Sequence, residues 1–276
     1  MITDYTAGSI AERLEDINSF LDDEEIDIIM TSIGGYNSNQ LLEELDYNKI
    51  EKANKLFIGY SDATAILNAI YNKTKKKTIL GPAFVSFCDP NMFDESIDYF
   101  FKIINNETKF EYKSPQNYAY DEWFMKENYG PRDCKKHKGW NFIKNGIGKG
   151  ILVGGNCETF LALSGTKYMP DLDGKILLLE SIENEKLAKF ERELTQIEQM
   201  GLLNSLKGII IGQFSDEQGL ENTEVLRKMI RRICAKFSFP IVVNTSFSHV
   251  SPIYSIPIGG EIELDSKKQT IMLVNQ

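Results

Sequence analysis

The stretch "LFIGYSDATAIL", Leu56 to Leu67, breaks an apolar run at Gly59-Tyr60 and opens a helix with a serine and an aspartate. "GYSDA" departs from the nucleophile elbow GxSxG only at its last position, Ala63. Such an elbow turns the Ser61 hydroxyl away from the sheet and leaves adjacent backbone N–H groups to bind an oxyanion. Serine is also among the best helix caps, so the stretch alone reads as a capped helix start too. A nucleophilic serine needs a base at neutral pH, and the chain has 2 histidines. His137 lies in the basic loop "RDCKKHKGW" and reads as a solvated surface side chain. His249 lies in "NTSFSHVSPIYSIPIGG", between two strands. It is either structural or at the kind of strand-end loop where α/β proteins build their sites. The third part of such a relay is a carboxylate that orients the imidazole. Glu180, the acid at the carboxyl end of "KILLLES", is either exposed by the turn or held for use.

Two glycine pairs follow apolar strands: Gly34-Gly35 in "SIGGYNSN" and Gly154-Gly155 in "VGGN", which runs into Asn156. Missing side chains there let backbone amides approach a ligand, or simply end a strand. Neither pair belongs to a GxGxxG or a Walker motif, which disfavours nucleotide-cofactor binding and, with it, an oxidoreductase.

The elements that must position these residues alternate. Asp4 to Leu21 has apolar residues at helical spacing (Ile10, Leu14, Ile17, Leu21), with Ser9 and Glu12 as a capping box. "IDIIMTSIGG" reads as a buried strand, "NQLLEELD" as a helix, "KLFIGY" as a strand, Ser61 to Tyr71 as a helix and "TILGP" as a short strand. Strands and helices at this interval imply a parallel sheet with helical crossovers. Asn91 to about Gly148 shows no sustained period and reads as a connecting segment carrying surface loops. Beyond it "GILVGG", "GKILLLES", "LKGIIIGQF" and "FPIVVNTSF" are strands. Helices are expected over about Glu185 to Met200 and Glu224 to Phe237, and a hairpin turns at Asp265 to Lys268.

With 276 residues, 42% of them hydrophobic, the chain suffices for one large domain or two modest ones. Its net charge of -9 argues against nucleic-acid or anionic-membrane partners, because phosphate binding needs concentrated Lys and Arg. The basic run "NKTKKKT" reads as a solvated helix end. No apolar stretch approaches the ~20 residues of a membrane span, and the start lacks a basic region followed by an apolar core. A cytoplasmic protein is expected. Its four cysteines (Cys88, Cys134, Cys157, Cys234) show no CxxC pair and read as thiols rather than as disulfides or a zinc site.

Taken in order, "YTAGSIAERLEDIN", "TSIGGYNSNQLLEELDY", "LFIGYSDATAILNAIYNKT", "LGPAF", "GGNCETFLALSGTKYMPDLDGKILLLES" and "SFSHVSPIYSIPIGGEIELD" resemble the LD-carboxypeptidase family of serine peptidases, which includes the microcin C self-immunity proteins. The resemblance implies an N-terminal flavodoxin-like domain (1–110), a connecting segment (111–145) and a C-terminal β/α domain (146–276), assembled as a homodimer without a cofactor or metal. It implies a triad of Ser61, Glu180 and His249. The oxyanion hole would comprise the backbone N–H of Asp62 and one from the Gly34-Gly35 pair. Asn37 and Asn156 would contact substrate. Family members usually begin with a strand and helix ahead of the "YTAGSI" point, so the first strand of the N-terminal sheet is expected to be lacking here. Ser248 stands where a glycine or cysteine was expected.

The family divides by substrate. Its carboxypeptidases remove the terminal D-alanine from muropeptide tetrapeptides, and the self-immunity type cleaves the amide joining a peptide or aminoacyl group to a nucleotide-like toxin. "SIGGYNSNQLL" and the aromatic connecting segment resemble the latter, in which Trp123 or Trp140 would stack on adenine or else pack at a domain junction. A silent protein that sequesters such a conjugate is the reading from another class.

Overall fold

The structure, a computed structural model, describes residues 6–182, 187–215 and 223–276. Helix α1 (Ile10–Asp22) opens on the capping box expected from Ser9 and Glu12 and buries Leu14 and Leu21. Strand β1 (Ile28–Met30), helix α2 (Tyr47–Lys52), β2 (Leu56–Gly59), α3 (Thr64–Thr74) and β3 (Thr78–Leu80) follow. The three strands are parallel, in the order β1-β2-β3, with helices on the crossovers. Among the described residues β1 is at the sheet's edge.

The helix expected over "NQLLEELD" is displaced. Ser38–Leu41 form a single 3-10 turn, and the next helix starts only at Tyr47, where the Asp46 carboxylate accepts the Lys49 N–H. Leu41, Leu42 and Leu45 are buried all the same, so apolar spacing that suggested a helix serves a compact turn.

The segment read as a connector is largely structured. Helix α4 (Asp94–Ile104) buries Tyr99, Phe100 and Ile103. Strand β4 (Phe110–Tyr112) and β7 (Asn141–Lys144) are the two edges of a second sheet, and β5 (Asn117–Tyr118) pairs with β6 (Lys135–Lys136) between them. Phe101, Phe124 and Tyr129 of this segment are exposed, but its Tyr99 and Tyr112 are buried and pack ring on ring with Tyr254. Long-range burial, invisible to local periodicity, orders this stretch.

The second sheet continues with β8 (Ile147–Asn156), α5 (Cys157–Leu161), β9 (Ile176–Glu180), α6 (Leu187–Gln199), β10 (Gly208–Gly212), α7 (Thr223–Ile233) and β11 (Ile241–Thr245). β8 to β11 are parallel, and every residue of β9 and β10 is buried, as apolar runs covered on both faces must be. The hairpin expected at the C-terminus is β13 (Glu261–Asp265) and β14 (Thr270–Asn275). Before it, β12 (Ile256–Ile258) returns to the first sheet and pairs antiparallel with β3, its Pro257 at an edge where a missing N–H is tolerated. Each half of the chain therefore lends a strand to the other half's sheet. Among the described residues no helix is long and apolar enough to cross a membrane.

Helix α3 joins the sheets. Asn68 Nδ2 donates to the carbonyls of Thr64 and Gly154 (both 2.8 Å), Gly154 N–H donates to Asn68 Oδ1 (2.9 Å), and Asn156 N–H donates to Thr64 Oγ1 (3.0 Å). Of the second glycine pair, Gly154 lies against Leu178 of β9 and Gly155 admits the helix. A Cβ on Gly155, at φ 140°, would stand 2.5 Å from Thr64 Oγ1. Gly155→Ala is expected to cost on the order of 3 kcal/mol, from overpacking and a backbone unsuited to alanine. Urea unfolding of the variant beside the parent checks this.

Candidate active site

Ser61 follows β2 at φ 57°, a left-handed conformation that a non-glycine residue holds only when its surroundings impose it. It does not cap α3, whose cap position is Ala63, with no side-chain cap hydrogen bond. Ala63 stands where the elbow motif has glycine and is accommodated against Gly59 across the turn. Asp62 is buried with its carboxylate accepting the Ser38 N–H (2.8 Å), while Ser38 Oγ–H donates to the Asp62 carbonyl (2.5 Å). Burial pushes the Asp62 carboxyl up, opposed by the N–H groups of Ser38 and Asn37 and by the Arg13 guanidinium. Gly34 lies against the nucleophile candidate: a Cβ there would sit 2.9 Å from Ser61 Oγ.

Glu180 and His249 come from the second sheet. Glu180 ends β9 at 3% exposure, and the loop after β11 brings His249 Nδ1 to 2.6 Å from Glu180 Oε2. A carboxylate accepting at Nδ1 fixes the proton there and leaves Nε2 as the acceptor. Gly212 on β10 makes this approach possible, since a Cβ would stand 2.7 Å from Glu180 Cβ and 2.8 Å from Ser248 Cβ. Ser248 Oγ accepts the Val250 N–H (3.2 Å) and closes the turn around the histidine. The His249 ring packs on Tyr60, the residue before Ser61, at 4.9 Å between centroids.

One cavity of about 470 Å³ is lined by Ser61, Asp62, His249, Gly34, Gly35 and Asn156 together with Ile33, Asn39 and Glu158. Asn156 also caps α5 through its side chain. Asn37 is set behind this lining, where its carbonyl accepts from Arg13 (3.2 Å). A second cavity of about 320 Å³ adjoins the first through Ile33, Tyr60 and His249 and holds Trp123, Phe93 and Arg132. The buried Arg132 guanidinium there is paired with Asp89 (2.6 Å) and Asp121 (3.0 Å). Trp140 lines neither cavity and packs on Phe247 and Tyr254. Ser38, Gly212, Glu158 and Tyr60 escaped the sequence reading; only "GIIIGQ", another strand ending in glycine, hinted at one of them.

His137 is buried, contrary to the expectation of a solvated side chain. Its Nδ1 accepts the Gly139 N–H (2.9 Å) and lies 3.0 Å from Ser114 Oγ, and the ring meets Tyr118 edge-on. The basic residues flanking it face outward while the ring turns in, a choice local charge cannot reveal.

Comparison with known proteins shows the family. The family model described as LD-carboxypeptidase N-terminal domain matches residues 2–81, and that for the C-terminal domain matches residues 149–264. The chain belongs to the LD-carboxypeptidase family. Its relatives include the putative carboxypeptidase YocD of Bacillus subtilis, 33% identical over 95% of this chain and 80% of the relative. The microcin C7 self-immunity protein MccF of Escherichia coli is 30% identical over 99% of this chain and 80% of its own length. A probable murein peptide carboxypeptidase of Bacillus subtilis is 27% identical over 98% and 78%. Among solved structures, an MccF-like protein from Bacillus anthracis superposes with a TM-score of 0.93 at 34% identity, covering 100% of this chain and 84% of that one. MccF in complex with aspartyl sulfamoyl adenosine gives a TM-score of 0.90 at 29% identity over 99% and 84%. The two-domain α/β fold is thus that of the MccF-like LD-carboxypeptidases.

Burial holds the His137 imidazole below its ordinary pKa, opposed by its hydrogen bonds to the Asn244 backbone and the Gln213 side chain. In the interval between the folded value and the unfolded value of about 6.5, the unfolded chain binds a proton that the folded one refuses. This contribution to stability is complete above that interval and is lost as pH falls through it. The difference in urea midpoint between the parent and His137→Gln is expected to narrow from pH 7.5 to pH 5, and to widen if His137 is charged in the folded state.

Proposed function

We propose that this protein is a serine hydrolase that cleaves the amide joining an aminoacyl or peptidyl group to a nucleotide-like moiety, through Ser61, His249 and Glu180. The observation that carries the reading is the 2.6 Å contact from Glu180 to His249, whose ring lines the cavity that also receives Ser61 at its left-handed turn. His249 Nε2 takes the Ser61 Oγ proton, and the oxygen attacks the amide carbonyl. The negative charge forming on the carbonyl oxygen is met by the backbone N–H of Asp62 and by one from the Gly34-Gly35 pair. The imidazolium, stabilised by Glu180, then protonates the leaving nitrogen, and the C–N bond breaks. Water, deprotonated by His249, hydrolyses the acyl-enzyme and restores Ser61.

The two adjoining cavities suit a substrate in two parts. The first, with Asn156 and Glu158 on its wall, receives the acyl side. The second offers Trp123 as a stacking surface for the leaving group. That MccF has been solved with aspartyl sulfamoyl adenosine supports a leaving group of nucleotide type. The murein peptide carboxypeptidase relative supports a second reading, removal of terminal D-alanine from a muropeptide tetrapeptide.

Mass spectrometry of one mixture of aspartyl sulfamoyl adenosine and a muropeptide tetrapeptide separates the readings. Free aspartate is expected with the parent protein, falling about 10⁴-fold in Ser61→Ala and His249→Ala and about 10³-fold in Glu180→Gln. Loss of D-alanine alone would establish the wall-peptide reading, and both compounds left intact would favour a binding protein.

A further inference from the structure

The carboxylate of Asp62 and the hydroxyl of Ser38 take no part in the bond-making above, yet two hydrogen bonds, both donated by Ser38, join these residues. Ser38 N–H donates to Asp62 Oδ2 at 2.8 Å, and Ser38 Oγ–H donates to the Asp62 carbonyl at 2.5 Å. Asp62 belongs to the elbow and follows Ser61 directly. Ser38 ends the loop that carries Gly34, whose added Cβ would stand 2.9 Å from Ser61 Oγ, and Gly35, whose added Cβ would stand 3.4 Å from Asp62 Oδ2.

The turn Ser38–Leu41 needs this bond. Its cap residue Asn37 makes no side-chain cap hydrogen bond, so the N–H groups at its start are left for a partner from elsewhere. Asp62 supplies that partner. Arg13 holds the same turn from outside, donating to the Asn37 carbonyl (3.2 Å) and to Gln40 Oε1 (2.8 Å). At 8% exposure the Asp62 carboxylate is largely removed from water, a placement that costs free energy unless such donors meet it.

We propose that Asp62, through its carboxylate, and Ser38 are positioning residues that clamp the Gly34-Gly35 loop onto the nucleophile elbow and set the oxyanion donors before substrate arrives. The inference rests on Ser61 being the nucleophile. The two donors, Asp62 N–H and one from Gly34-Gly35, come from separate segments of the chain, and an oxyanion hole acts only if its donors need no reorganisation at the moment of reaction. The double bond between Ser38 and Asp62 makes elbow and loop move as one unit. Loosening it shifts a donor without removing any reacting group.

A fluorophosphonate probe, followed by intact-protein mass spectrometry, reads this without knowledge of the natural substrate, because its phosphoryl oxygen occupies the same hole. With Ser61→Ala as the labelling control, D62A is expected to lower the maximal labelling rate about 100-fold while the probe's half-saturating concentration stays within about twofold. S38A should lower the rate about tenfold. The D62A/S38A double variant should be no slower than D62A by more than about twofold, since both changes open one clamp. D62N, whose amide oxygen accepts the same N–H, should recover at least about tenfold of the loss. Hydrogen exchange of peptide 33–41 should be at least about tenfold faster in D62A. A parent protein that takes no label overturns the nucleophile reading, and the catalytic meaning of the clamp with it. A labelled parent with D62A reacting at the parent rate, with multiplying effects in the double variant, or with unchanged exchange over 33–41, overturns the clamp alone.

Discussion

Everything at the candidate site depends on how closely helix α3 approaches strand β8. Ser61 precedes this helix, and Glu180 lies on the strand beside β8, with Asn156 and Glu180 paired across the two. Any widening between α3 and β8 therefore separates the serine from the acid and the histidine. Gly155, without a Cβ, allows the contact, and the Asn68 side chain fixes its register by bonding both the helix and the backbone of Gly154. Asn68 is fully buried and its side chain bonds the main chain of Thr64 and Gly154, so it determines position more than it adds apolar stability.

The exchange of strands between the sheets works in the same direction. β12 leaves the histidine loop and enters the first sheet beside β3, so the loop bearing His249 is held at both ends, by β11 in one sheet and by β12 in the other. Ser251, two residues after His249, exchanges both backbone hydrogen bonds with Ala119 of the former "connecting" segment. That segment then reaches back through Arg132 to Asp89 on the first half of the chain. A buried guanidinium between two carboxylates is costly to desolvate and strongly destabilising to break, which suits a clasp that specifies one arrangement.

Strain and order sit together at the nucleophile. Ser61 occupies a left-handed conformation, and the residues on either side are tied down, Tyr60 under the His249 ring and Asp62 to Ser38. A hydroxyl facing a cavity from a rigid turn is what acyl transfer asks of its nucleophile, because positioning lowers the entropic part of the barrier.

Much of this was legible in the chain itself. The alternation of apolar runs and amphipathic helices determined the parallel sheets, since buried central strands read as unbroken apolar segments such as "ILLLE" and "GIIIG". The capping box at Ser9 and Glu12 and the terminal hairpin were local and therefore readable. So were the types of residue placed at the strand ends. Other features depend on partners far away in sequence. The aromatic residues from Tyr99 to Tyr112 look irregular until Tyr254 packs on them, and His137 looks like a surface residue until Gly139 and Tyr118 enclose it. "NQLLEELD" has helical spacing but forms a single 3-10 turn at Ser38–Leu41, whose first N–H donates to the Asp62 carboxylate of the elbow. Hydrophobic period and turn chemistry act over a few residues, so the order of amino acids places the chemical groups at the ends of strands. Which ends meet follows from contacts such as Asn68 to Gly154 and Glu180 to His249, which arise only when the chain folds and which no local pattern encodes.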